Sequence, residues 1–200
     1  MKGLLLKDFY ITRSILAILG IVFIIIGASL SYLVSPWTLT VLATVLLGMN
    51  VASTINVDKT SGWQKTVITA PVSRKTYISS KYIMYVLLSF VGLIFGILFG
   101  MAVNLIFSQN TESAQLFICI SISMALISGS VLLPFYFIFD ENKSIMGAIL
   151  AYPAAGGIFT ALLLLLEYTT QTLIFIVLVS ILLFAVSWYL SVRILSKKDI

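Results

Sequence analysis

Six apolar runs, each at least twenty residues long, alternate with short polar segments along the chain. They lie at Ile15–Val34, Trp37–Asn56, Tyr82–Phe107, Leu116–Phe139, Ile145–Leu166 and Thr172–Val192. At 1.5 Å per residue, a helix of about twenty residues crosses a hydrocarbon core roughly 30 Å thick. None of the six runs contains Asp, Glu, Lys or Arg. The pattern predicts an all-α, polytopic membrane protein with six transmembrane helices. Ser35-Pro36 divides the first two runs, and a tight turn is expected there. The run after Lys2 and Lys7 reaches Gly27-Ala28-Ser29, which imitates a secretion signal. It is longer than the apolar core of such a signal and feeds another span, so it is expected to be retained. No repeat, linker or soluble domain is expected to divide the chain, and residues 1–200 read as one membrane domain.

Composition agrees and excludes alternatives. Hydrophobic residues make up 60% of the chain and charged residues 10%, too few charges to cover a water-facing surface. Histidine is absent and cysteine occurs once. A zinc site, a Cys/His nucleophilic pair and an intrachain disulfide are therefore excluded. Net charge is +5, and all twelve basic residues fall in the segments 1–14, 57–81, 140–144 and 193–200. The alternate connections carry only Glu112 and Glu167. By the bias of Lys and Arg toward the cytoplasm, both termini are inside. Basic groups spread along one membrane face suit anionic lipid and exclude nucleic acid as the partner.

The spans also lack an energy source. Coupled carriers commonly bind their driving ion at a carboxylate within the bilayer. Here the intramembrane polar groups are Asn50, Asn104 and scattered Ser and Thr, which disfavours a secondary carrier. No protease constellation can be assembled, and no Gly-x-x-x-x-Gly-Lys-[Ser/Thr] loop is present to cradle ATP. Any nucleotide chemistry belongs to another chain.

The longest segment between spans, NVDKTSGWQKTVITAPVSRKTYISSK from Asn56 to Lys81, is divided by Pro71. Thr60–Thr69 can form a short helix in which Trp63, Val67 and Ala70 make a narrow apolar stripe, leaving Asp58, Lys59 and Lys65 polar. Ser73 is placed to cap the next helix. Two readings fit: a basic loop anchored to lipid by Trp63 and Tyr77, or a membrane-parallel helix that docks into a cytoplasmic partner. The N-terminal MKGLLLKDFYITR is similarly double. Leu5, Leu6, Phe9 and Tyr10 can share a helical face with Lys7 and Asp8 turned away, as in an interfacial helix. It can equally be a lead-in to the first span.

Short motifs resolve these pairs by resemblance. Leu4-Leu5-Leu6-Lys7-Asp8, Asp58 with Ser61-Gly62-Trp63, and Ala70-Pro71-Val72-Ser73-Arg74-Lys75-x-Tyr77 followed by Lys81-Tyr82 resemble the permease subunits of ABC-2 type (type V) exporters. Pro134-Phe135-Tyr136-Phe137 with Glu141 and Lys143 resembles their aromatic segment, although Ile138 and Asp140 stand where glycine and a basic residue are usual. The resemblance implies two permease subunits, as a homodimer or paralogous heterodimer, working with an ABC ATP-binding subunit that holds ATP and Mg. This chain would itself bind no cofactor. Residues 1–14 would be the connecting helix and 57–81 the cytoplasmic coupling loop. Asp58, Ser61, Gly62, Trp63, Lys65, Val67, Arg74 and Lys75 would form the ATPase-coupling set, with Trp63 as anchor, Lys65 as polar contact and Arg74 as brace.

Gly92, Gly96 and Gly100 recur every four residues, a spacing that lets helix backbones approach closely. Their partner lies either within the subunit or across a dimer seam. Pro153 with Gly156 and Gly157 either kinks its span or breaks it into an outer, partly re-entrant helix or gate, as members of the resembled family often have. A path lined by Ser, Thr, Gly, Met and aromatics suits an amphipathic or hydrophobic cargo. Compact permeases of this type export amphipathic peptides, phenol-soluble modulins among them, or antimicrobial compounds across the bacterial cytoplasmic membrane. The competing reading is a non-transporting immunity or scaffold protein that binds a peptide or another membrane protein.

Overall fold

The computed structural model describes residues 1–63, 66, 73–107, 114–139, 141–166 and 169–197. Among the described residues six long helices follow one another: α1 Lys2–Leu33, α2 Thr38–Thr60, α3 Arg74–Phe107, α4 Ala114–Ile138, α5 Glu141–Leu166 and α6 Thr170–Lys197. All six are long and apolar enough to cross a membrane. Contacts between the starts of α1 and α3 and the end of α2, and between the start of α3 and the end of α6, gather both termini at one end of the bundle.

At the opposite end, helix boundaries fall within two residues of the apolar runs. At the basic end all but α4 overrun them. α1 begins at Lys2 rather than Ile15, α2 runs on to Thr60, α3 begins at Arg74 rather than Tyr82, and α6 continues to Lys197. Helical backbone bonds close within the segment and need no apolar surroundings, so a helix can outlast its apolar run. Residues 1–14 are the first turns of a 32-residue helix. That helix is about 48 Å long, well beyond a core of roughly 30 Å. Thr60 closes α2 instead of opening the loop helix expected from the sequence.

The apolar face of the N-terminal turns points away from the bundle, as a membrane-facing stripe would, and the polar face turned from it is buried. Leu6, Phe9 and Tyr10 are exposed, whereas Asp8 and Thr12 are buried. Lipid is as good a solvent for an apolar side chain as the protein interior. The charged side chains have no such alternative and turn toward one another.

α2 is the centre of the bundle, packed mainly on α3 and α4 with α1 along another side. Its inward stripe of Leu39, Ala43, Val51 and Ile55 is fully buried. The glycine row of α3 faces it within the same chain. A Cβ on Gly92 would lie 2.4 Å from the Ala43 carbonyl oxygen, and one on Gly96 would lie 2.4 Å from the Thr40 Cα. At Gly100 the neighbour is the Trp37 ring, 2.8 Å away. Exposed Ile18, Ile21 and Ile25 on α1, and Leu178 and Leu182 on α6, supply lipid-facing surface.

Neutral polar side chains bond across helices, as an apolar solvent requires. The Tyr82 hydroxyl lies 2.9 Å from both Ser187 and Ser191 on α6. Tyr85 donates to the Ala125 carbonyl of α4 at 2.7 Å. Of the two readings at Pro153, a kink or a break into an outer helix or gate, the break is not found: α5 is unbroken from Glu141 to Leu166 with the proline inside it. Proline removes the bond to the Ile149 carbonyl, a loss that membrane helices tolerate. Gly156 and Gly157 have nothing within 4 Å of a Cβ position, so neither serves a close helix contact.

Candidate functional site

The basic end of the bundle encloses a cluster of two carboxylates and two ammonium groups. Lys81 of α3 lies at its centre, 1% exposed. Its Nζ donates to Asp8 Oδ1 of α1 at 2.8 Å and to Thr54 Oγ1 of α2 at 3.0 Å, and lies 2.7 Å from Asp58 Oδ2 of α2. Two of the three N–H donors of the ammonium are used on Asp8 and Thr54, and Asp58 adds an ion pair. Tyr77, one helical turn before Lys81, donates to the same Asp58 Oδ2 at 3.0 Å. Lys7 of α1 donates to Asp58 Oδ1 and lies 3.5 Å from Asp8 Oδ1. The cluster is formally neutral, and Asp8 Oδ2 is buried without a hydrogen-bond partner among the described residues.

Its depth explains how charges survive beside a bilayer. Counting along the helices at 1.5 Å per residue, Asp58 is about 30 Å from the far end of α2, and Asp8 and Lys81 are about 37–39 Å from the far ends of α1 and α3. All three positions fall at the edge of a hydrocarbon core roughly 30 Å thick. Burial there still strips water from each ion, so the arrangement holds only while each sealed charge keeps at least one partner.

Lys7 differs from the other three. Its side chain is 25% exposed, against 1–2% for Asp8, Asp58 and Lys81. The Trp63 ring covers it, with the ammonium 5.1 Å from the ring centroid, within the range of a cation–π contact.

Trp63 follows the stop of α2. Ser61 Oγ donates back to the Val57 carbonyl at 2.6 Å and the Gly62 N–H donates to the Lys59 carbonyl at 3.2 Å. Gly62 has φ 72°, the left-handed conformation that ends helices and that side chains resist. The chain leaves α2 there, and Trp63 emerges 38% exposed. On the far side of the segment Ser73 caps α3, its Oγ accepting from the Thr76 N–H at 3.1 Å.

Basic side chains at both ends of this segment reach neighbouring helix termini. Lys59 Nζ donates to the Phe139 carbonyl just past α4 at 2.6 Å, and Arg74 Nη1 donates to the Leu195 carbonyl near the end of α6 at 3.0 Å. Both meet carbonyls left over at helix C-termini, where cations are favoured. The Lys75 ammonium lies 5.6 Å from the Trp188 ring centroid on α6.

The sequence-derived coupling set is therefore divided. Ser61, Gly62 and Trp63 form the exposed turn. Asp58, expected on the polar side of the loop, faces the interior as the shared acceptor of two lysines. Arg74 and Lys75 brace α3 against α6. Lys65 and Val67 lie outside the described residues. Gly92, Gly96 and Gly100 serve the α2–α3 contact, and Pro153, Gly156 and Gly157 lie along α5. Sequence reasoning gave no role to Lys7, Asp8, Tyr77 or Lys81 as a group. One signal pointed to them: Asp8 and Asp58 are acids beside span ends on the basic side, where each needs a partner.

These features define a multi-pass helical membrane protein whose polar organisation is concentrated at one membrane face. A family model described as ABC-2 family transporter protein matches residues 3–196. The chain belongs to that family and is the membrane subunit of an ABC-2 transporter, a type of component that is typically non-catalytic and works with an ATP-binding partner. Comparison with curated proteins and with solved structures finds no match.

Proposed function

We propose that this subunit is the permease of an ATP-driven exporter, with both termini in the cytoplasm of a bacterial cell and a second permease subunit beside it. ATP and Mg are bound by the partner ATPase. The cargo is amphipathic or hydrophobic, a peptide or an antimicrobial compound, in keeping with apolar runs that carry no Asp, Glu, Lys or Arg. The observation that carries the coupling role is the exposed turn at Gly62-Trp63. It presents a large aromatic at the basic end, on a segment whose two flanks are tied into the bundle by Lys59 and Arg74. Buried aromatic anchors dominate many protein interfaces, and truncating one costs about 2 kcal/mol or more. That corresponds to roughly thirtyfold in affinity.

Co-expression with the cognate ATP-binding subunit and purification in mild detergent tests this reading. The ATPase is expected to co-purify with the native chain. Trp63→Ala should reduce its recovery severely while membrane insertion of the permease is unchanged. Unaltered recovery would remove Trp63 from the anchor role, and absence of any ATP-binding partner would end the exporter reading.

A further inference from the structure

The ion cluster joins the starts of α1 and α3 to the end of α2, and its four charges are not equivalent. Lys81 is held by three partners and sealed from water, so moving it would strand two buried carboxylates at once. Lys7 has one strong partner, Asp58 Oδ1, and already reaches solvent. The group that shields it is Trp63, the side chain presented at the exposed turn. Anything that takes hold of Trp63 uncovers Lys7, and water can then compete for its ammonium. Asp58 meanwhile keeps Lys81 and Tyr77 on its other oxygen. The bundle thus has a fixed joint in which Lys81 holds Asp8 of α1 and Asp58 of α2, and a second, releasable tie between α1 and α2 through Lys7, with the release placed under the turn.

We propose that the Lys7–Asp58 contact is the movable joint through which displacement of Trp63 by the ATPase reaches α1, Lys7 being a positioning residue for coupling. The inference rests on the exporter reading above and adds to it a separation of roles: Trp63 sets how tightly the ATPase binds, and Lys7 sets whether binding produces turnover.

The permease in lipid nanodiscs is titrated with its cognate ATP-binding subunit and MgATP, and hydrolysis is followed. Two quantities are read: the ATPase concentration giving half-maximal stimulation and the maximal stimulated rate. Lys7→Met is expected to leave half-saturation within twofold of the native value and lower the maximal rate at least fivefold. Lys7→Arg, which keeps the charge, should restore the rate to within twofold. Trp63→Ala is expected to show the opposite split, shifting half-saturation tenfold or more. Melting of each permease variant alone checks folding, and Lys7→Met should melt within a few degrees of native.

A native maximal rate in Lys7→Met overturns the proposal. So does a rate defect matched by an equal shift in half-saturation, or a melting loss that accounts for it, because Lys7 would then act only in docking or folding. If the native permease stimulates no ATPase, the exporter reading and the joint fall together. If it does and Lys7→Met is indistinguishable from native, only the joint falls.

Discussion

Lys81→Met is expected to destabilise the permease by about 3–5 kcal/mol, the cost of removing one partner from a buried ion pair. Methionine preserves much of the lysine stem, so packing changes little and the loss isolates the charge. With Lys81 gone, Asp8 Oδ1 keeps only the more distant Lys7, and Asp58 Oδ2 keeps only the Tyr77 hydroxyl. Water cannot substitute readily, because both carboxylates and the vacated position are 1–2% exposed. For a chain of this size each kcal/mol moves the melting temperature by about 2–4 °C, so a fall on the order of 10 °C is expected in detergent. A second substitution supplies the control. Asp8→Asn removes one of the stranded negative charges, and the double variant should recover a clear part of the loss. Native-like melting of Lys81→Met alone would show that the cluster contributes little to holding α1, α2 and α3 together.

A graded loss is expected along the glycine rows when each residue is replaced singly by alanine. Gly92→Ala and Gly96→Ala should be the most damaging, because the added methyl would meet the backbone of α2 at 2.4 Å in both cases. Backbone cannot rotate aside, so the helices must separate, and overpacking of this kind costs about 1–3 kcal/mol and occasionally more. Close packing is also the main attraction between helices in lipid, so the separation forfeits contacts along the α2–α3 seam. Gly100→Ala should be milder, since it meets the Trp37 side chain at 2.8 Å. Gly156→Ala, with nothing within 4 Å, should be neutral or stabilising by up to about 1 kcal/mol through helix propensity. Thermal melts of the four variants give the order directly. Equal melting of Gly96→Ala and Gly156→Ala would contradict the close approach of α2 and α3.

The six helices were legible because a bilayer demands twenty consecutive apolar residues, a requirement visible locally. Their overrun at the basic end was not, since nothing in an apolar count marks where a helix stops outside the core. The glycine row declared a close approach through its four-residue spacing, but the sequence left its partner open between α2 and a second subunit. The ion cluster was the least legible feature. Lys7 and Asp58 are 51 positions apart, and Asp8 and Lys81 are 73 apart, so no periodicity connects them. The N-terminal apolar stripe was legible as a face turned away from Lys7 and Asp8, but the burial of the polar face opposite it was not. Amphipathicity predicts an inward apolar face in water, and in lipid that ordering can invert.

The ties at the basic end have a mechanical consequence. Lys7 and Asp8 engage α1, Asp58 and Lys59 belong to α2, and Arg74 and Lys81 to α3, while the Phe139 and Leu195 carbonyls bring in the ends of α4 and α6. Force applied to the segment after Gly62 is therefore shared by five helices, which would turn together as a plate as far as the Lys7–Asp58 tie lets α1 follow. α5 stands outside these particular ties and leans mainly on α4. With Pro153 at mid-length, it is the member against which the plate can shear, and the seam between α4 and α5 is where relative travel would be greatest.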